Sequence, residues 1–160
     1  MTDTNSGGLV VFDHPLIRHK LTIIRDETTS YRLFRATLAQ IAGLMVYEVT
    51  RSFETETFRV RTPLVETTGH RVRGVITLVP VLRAGLGMID GILDVMPEAR
   101  VGHLGMARDE RTLEPMTYLS RLPKDLDAGP VVLVDPMLAT GGSASAAVSL
   151  LREAGATDLR

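Results

Sequence analysis

The chain has 160 residues, with 18 Lys and Arg against 19 Asp and Glu, a formal net charge of -1 and no cysteine. That length suits one domain with a single sizeable core; the balanced charge argues against a broad footprint on nucleic acid or membrane, and the missing thiols exclude a disulfide framework, a cysteine nucleophile and a zinc–cysteine site. No apolar run reaches the length of a membrane span and Met1 to Gly8 is polar rather than signal-like, so a cytoplasmic protein is expected.

Leu9 to Phe12 reads as a short strand. Asp13 and Pro15 then stand where a helix N-cap and first turn use such residues, and Leu16, Ile17, Leu21 and Ile24 give a helical stripe. His14 and His19 have no nearby carboxylate partner in sequence and read as surface or interface residues rather than catalysts. Thr28, Thr29 and Ser30 are candidate caps for a long helix with apolar positions at Leu33, Phe34, Leu38, Ile41, Leu44, Met45 and Val49. Its wide stripe is expected to cover the sheet edge or a second subunit. Phe58 to Val65 alternates apolar and charged residues around Pro63, the pattern of an exposed strand or β-arm, either reaching a partner chain or solvated.

Val75 to Val79 reads as a buried strand ended by Pro80. It is followed by the loop Val81 to Gly85 and a helix from Leu86 to Met96. Arg83 is placed where strand meets helix, and its planar fork suits bidentate phosphate contact; on these residues alone a surface ion pair is the competing reading. Arg100 to Met106 reads as a third strand, with His103 a core histidine. A charged excursion, Arg108 to Pro115, separates it from the strand-like Met116 to Leu119 and has the form of an active-site lid.

Val131 to Val134 is a β-branched run suited to a strand buried on both faces of a parallel sheet. It ends in the carboxylate Asp135, then Pro136, Met137 and Leu138, then the loop Ala139, Thr140, Gly141, Gly142, Ser143, from which a helix of small and apolar residues runs to about Glu153. Strand, acid, glycine-threonine loop and helix in that order make an anion site: first-turn amides are unpaired, the peptide dipoles favour negative charge, and adjacent glycines let backbone wrap a phosphate. A glycine pair before a helix also occurs for structural reasons alone. Ala154 to Thr157 reads as the helix stop, and Asp158 to Arg160 as entry into another element. The fold expected from these elements is α/β, a mostly parallel sheet with helices on both faces and ligands at the carboxyl ends of the strands.

Two phosphate-binding loops fail on residues. A Walker-type loop needs a lysine beside the hydroxyl residue, and the chain's only lysines are Lys20 and Lys124. A dinucleotide fold wants GxGxxG after its first strand, and no such spacing occurs there. The nine residues DPMLATGGS, Asp135 to Ser143, instead resemble the phosphoribosyl-diphosphate (PRPP) loop of the uracil phosphoribosyltransferases. FDHPLIRHKL at Phe12 to Leu21, VPVLRAGLGM at Val79 to Met88 and GMARDERTLEP at Gly105 to Pro115 resemble that family's other motifs, in its order.

The resemblance implies a single phosphoribosyltransferase-like domain over residues 1–160 that transfers ribose 5-phosphate from PRPP to uracil, giving UMP and diphosphate. It implies that Arg83 and Arg108 hold the diphosphate and that Asp135 faces the ribose hydroxyls. Pro136, Met137, Leu138, Ala139, Thr140, Gly141, Gly142 and Ser143 would complete the PRPP site, with Arg83, Arg108 and Asp135 the catalytic set. Mg2+ is expected with the diphosphate. Many phosphoribosyltransferases place two adjacent acids at this strand end, whereas Asp135 is followed by Pro136, so the ion is expected on substrate oxygens and water, with no metal-binding residue in the chain. The family's uracil-recognition segment is expected beyond Arg160, so these 160 residues are expected to lack the base-binding segment and to be inactive in uracil-selective transfer by themselves. A homo-oligomer is expected, without nucleic-acid or membrane partners, and a GTP effector is left open. The alternatives are a regulator that uses this fold to sense nucleotide and bind nucleic acid, or a transferase for another nucleobase.

Overall fold

A computed structural model describes residues 9–108 and 115–160, the side chains of Arg108 and Pro115 excepted. The first helix, α1 (Pro15–Arg25), starts from a cap one residue later than expected. His14 accepts from the Leu16 amide through Nδ1 at 3.2 Å, while Asp13 pairs with Arg18 instead. Pro15 occupies the first turn, where its missing N–H costs nothing. Leu9 to Phe12 forms no strand, only a single bridge at Val11. Helix α2 (Tyr31–Val49) is capped by Ser30, whose hydroxyl accepts from the Leu33 amide at 3.3 Å. It buries Thr37, Ile41, Ala42 and Val46 and leaves Leu33 and Phe34 exposed.

Next come β1 (Thr55–Arg61) and β2 (Glu66–Val72), an antiparallel hairpin forming its own two-stranded sheet. This is the β-arm the alternation at Phe58 to Val65 suggests, with longer strands. Its surface carries cross-strand ion pairs, Arg71 with Glu56 at 2.6 Å and Arg59 with Glu66 at 3.5 Å, and Arg71 also stacks over Phe58.

The main sheet is built on β3 (Thr77–Leu82), which pairs in parallel with β4 (Arg100–Val101), β5 (His103–Arg108) and β7 (Val131–Val134). Among the described residues the antiparallel partner is β6 (Pro115–Arg121), beside β5. Pro80 does not end its strand. It lies wholly buried inside β3, opposite Val134, at the point where β3 passes from pairing with β4 at Thr77 and Leu78 to pairing with β5 at Val81 and Leu82. A residue without an N–H is tolerated in a gap between ladders. The same gap splits the strand expected over Arg100 to Met106 into β4 and β5 at Gly102. Past the next helix, residues 158–160 pair alongside β7, the Val131 amide donating to the Asp158 carbonyl at 2.8 Å.

Alternation along the central strands sends side chains to two cores. Ile76, Leu78, Val132 and Val134 face α2 and α3 (Leu86–Leu93), meeting Ala42, Val46, Met88, Ile89 and Ile92. Val79, Val81, Leu104 and Val131 face α4 (Gly142–Glu153) through Ala147 and Leu151. Leu104 and Leu151 are wholly buried, each contributing about 1.5–3 kcal/mol. Helices therefore cover both faces of a mostly parallel sheet. Helices α2 and α3 cross at glycines: a Cβ on Gly91 would lie 1.8 Å from the Ala39 carbonyl oxygen, and one on Gly43 would lie 2.7 Å from that of Gly91. Among the described residues no helix is long and apolar enough to cross a membrane.

At the amino end of the sheet Arg100 ties three segments together. Its Nε donates to the buried Thr77 hydroxyl at 2.7 Å, and Nη1 reaches both Asp125 carboxylate oxygens at 2.9 and 3.0 Å. The donated hydrogen bonds hold the Asp125 carboxyl below its usual range.

Candidate functional site

Parallel strands point their carboxyl ends the same way, so the register of β3 with β7 decides which loops share a site. Pro80 stands opposite Val134. Leu82, leading to Arg83, and Val134, leading to Asp135, consequently open onto the same edge of the sheet. The Leu82–Arg83 peptide is cis. The turn through Arg83 and Ala84 returns at Gly85, which is buried against the end of β7: a Cβ there would lie 2.5 Å from the Val134 carbonyl oxygen and 2.9 Å from Val81 N and O. Only glycine lets the first loop sit this closely beside the second.

In the second loop Asp135 is half-buried, and its Oδ1 accepts from the Met137 amide at 3.2 Å, which folds the chain back over the strand end. Pro136, Ala139 and Thr140 are exposed, and Met137 and Leu138 are 71% and 72% exposed. Gly141 caps α4 with φ +79, in the left-handed region open to glycine, and makes no side-chain cap hydrogen bond. With Gly142 and Ser143 in its first turn, amides at this end lie beside the loop, the arrangement that attracts a phosphate.

Arg83 is exposed and makes no ion pair among the described residues, so the surface salt bridge that competed for it is absent there. It borders an open cavity of about 490 Å³ together with Leu82, Met106, Ala107 and Tyr118. The backbone of Arg108 ends β5 on the same side, since β5 runs parallel to β3; its side chain and residues 109–114 of the expected lid lie outside the described residues. Met106 and Tyr118 were not among the residues singled out from sequence. His103, the expected core histidine, is half-buried on β5 opposite Arg121, and His14 serves as a helix cap. Among the described residues no three His, Asp or Glu cluster to hold a metal ion.

The sequence model of the uracil phosphoribosyltransferase family matches residues 10–160. A uracil phosphoribosyltransferase of Finegoldia magna is 52% identical over 153 residues, 95% of this chain and 73% of that protein. That of Paracoccus denitrificans is also 52% identical, over 95% of this chain and 72% of its own length. Among solved structures, the AQ2163 protein from Aquifex aeolicus superposes with a TM-score of 0.86 at 39% identity, covering 92% of this chain and 71% of that one. A hypoxanthine-guanine phosphoribosyltransferase from Bacillus anthracis shares the fold, with a TM-score of 0.57 at 10% identity over 79% of this chain and 64% of its own.

Proposed function

The chain belongs to the uracil phosphoribosyltransferase family, and from that premise we propose how its residues carry the transfer of ribose 5-phosphate from PRPP to uracil. The observation that supports the reading most is the shared edge of β3 and β7, which sets the Arg83 turn against the Asp135 loop. The 5′-phosphate binds at the α4 N-terminus, on the amides and hydroxyls of Thr140 to Ser143. Asp135 accepts hydrogen bonds from the ribose hydroxyls, with Pro136 to Ala139 shaping the loop around them. Arg83 and Arg108 hold the diphosphate.

In the reaction the bond from C1 of the ribose to the diphosphate oxygen breaks, its electron pair leaving with the diphosphate. A ring nitrogen of uracil then bonds to C1 and passes its proton to water or to a diphosphate oxygen, giving UMP. Positive charge grows on the ribose and negative charge on the leaving group as the bond opens, so donors aimed at the diphosphate stabilise the transition state more than the ground state. None of the named residues serves as a base.

The strand end carries a single carboxylate, Asp135 followed by Pro136, which fits a Mg2+ held on diphosphate oxygens and water. Bound there, the ion supplies charge neutralisation to the leaving group. The 160 residues form one domain in which no residue is assigned to the base. The same reading includes a cytoplasmic location and self-association, for which the hairpin with its exposed Phe58, Leu64 and Val65 offers a surface.

The test is diphosphate release from PRPP with uracil, cytosine and guanine, alongside Arg83→Ala. PRPP binding is expected, whereas uracil-selective release is not expected of these 160 residues by themselves, since none of them is assigned to the base. Arg83→Ala is expected to lose affinity for diphosphate and PRPP while keeping that for ribose 5-phosphate. Equal losses for all ligands, or release with guanine alone, refute the assignment.

A further inference from the structure

The register between β5 and β6 contains one irregularity. Gly105 stands opposite Leu119 and Met106 opposite Thr117, which leaves Tyr118 as an extra residue on β6. A bulge of this kind turns the side chain of the unpaired residue away from the ladder's regular alternation, and such bulges are frequent beside active sites. Here the Tyr118 ring comes across the backbone of Gly105: a Cβ at that glycine would lie 2.5 Å from Cε2 and 2.7 Å from Cζ of the ring. The glycine is thus the seat of the tyrosine. Tyr118 reaches the cavity that Leu82, Arg83, Met106 and Ala107 also line, so among the described residues its polar side chains are a guanidinium and a phenol. The ring is half-exposed, and no hydrogen bond of its hydroxyl is found among the described residues.

We propose that Tyr118, aimed by the β-bulge and seated on Gly105, is a diphosphate-binding residue that donates its hydroxyl to the group Arg83 holds. The inference rests on the PRPP reading above and adds a ligand to it. A diphosphate offers more acceptor oxygens than one guanidinium fork covers, and a phenol gives a donor without adding charge to the site. Because the leaving group gains negative charge as the C1–O bond opens, the same donor counts more at the transition state than in the ground state.

Calorimetric titration of the chain with Mg2+–diphosphate and, separately, with ribose 5-phosphate tests this. Tyr118→Phe keeps the ring and its packing and removes only the hydroxyl. It is expected to weaken diphosphate binding roughly 10-fold or more while changing ribose 5-phosphate binding less than about 2-fold. Gly105→Ala displaces the ring and should weaken diphosphate in the same direction; melting curves of both variants report whether the fold is kept. Unchanged diphosphate affinity in Tyr118→Phe, or equal losses for both ligands, overturns the inference and leaves the PRPP reading standing. Failure of the unsubstituted chain to bind diphosphate overturns both.

Discussion

Gly85→Ala isolates the contact that sets the Arg83 turn against the Asp135 loop. The residue has φ -59 and ψ -24, a conformation alanine adopts freely, so any loss comes from space and not from backbone strain in the folded state. The new methyl carbon would stand 2.5 Å from the Val134 carbonyl oxygen, roughly 0.9 Å inside ordinary contact, and both neighbours are backbone that cannot swing aside. Overpacking of this kind costs about 1–3 kcal/mol, and the reduced entropy of the unfolded chain returns about 0.4–1 kcal/mol. A net loss of about 1–2 kcal/mol lowers the melting temperature by about 2–8 °C in a domain of this size. The larger consequence is for the ligand. Relief by moving the turn carries Arg83, two residues earlier, out of register with Asp135, and a misplacement near 1 Å can cost about 100-fold. Differential scanning fluorimetry gives the first number, and calorimetry with diphosphate and ribose 5-phosphate gives the second. A variant that melts with the unsubstituted chain and binds diphosphate equally well would refute the steric argument and the shared-edge site together.

Asp135→Asn removes the charge proposed to accept from the ribose hydroxyls, and PRPP affinity measured by calorimetry should fall by about 1.5–3 kcal/mol; unchanged affinity would remove the residue from the site. Gly141→Ala forces a Cβ into left-handed backbone at φ +79, where open space offers no relief, at a cost of about 1–2 kcal/mol in denaturant stability with a further loss in ribose 5-phosphate binding. Asp125 is held below its usual carboxyl range chiefly by its hydrogen bonds from Arg100. A depressed folded-state value means stability that is present above the unfolded carboxyl range and is lost as pH falls through the folded one. Urea titrations between pH 6 and about pH 3 should therefore show a steeper acid loss in the unsubstituted chain than in Asp125→Asn, and identical slopes would detach the Arg100 pair from acid stability.

Local pattern made much of this legible. Val131 to Val134 is short, β-branched and followed by an acid and glycines, and it is β7 as read; Ser30 caps the long helix because its hydroxyl is the one placed three residues before a free amide. The errors lie where a neighbour decides. Pro80 looked like a strand end because proline removes a ladder donor, but the ladder is interrupted at that point by the passage from β4 to β5. Asp13 is the better intrinsic cap, yet its pairing with Arg18 leaves the role to His14. The stripe of helix α2 suggests a cover for the sheet edge or a second subunit, but not the close crossing with α3 at Gly43 and Gly91, a fit that depends on two segments far apart in sequence. Tyr118 escaped notice for the same reason: it follows a charged stretch in an ordinary alternating strand, and only pairing with β5 reveals the offset that turns its ring.

The hairpin of β1 and β2 holds only itself together over seven facing pairs, while its root is fixed by the buried Phe53 and by Val72 packed on the α2–α3 core. Its amides can therefore open as a unit without disturbing either core, whereas those of β3 and β7 open only when the sheet does. Deuterium uptake would read two clocks in one chain. The hairpin's clock should run fast and be nearly indifferent to low denaturant, and the sheet's should slow or quicken with every substitution that alters global stability.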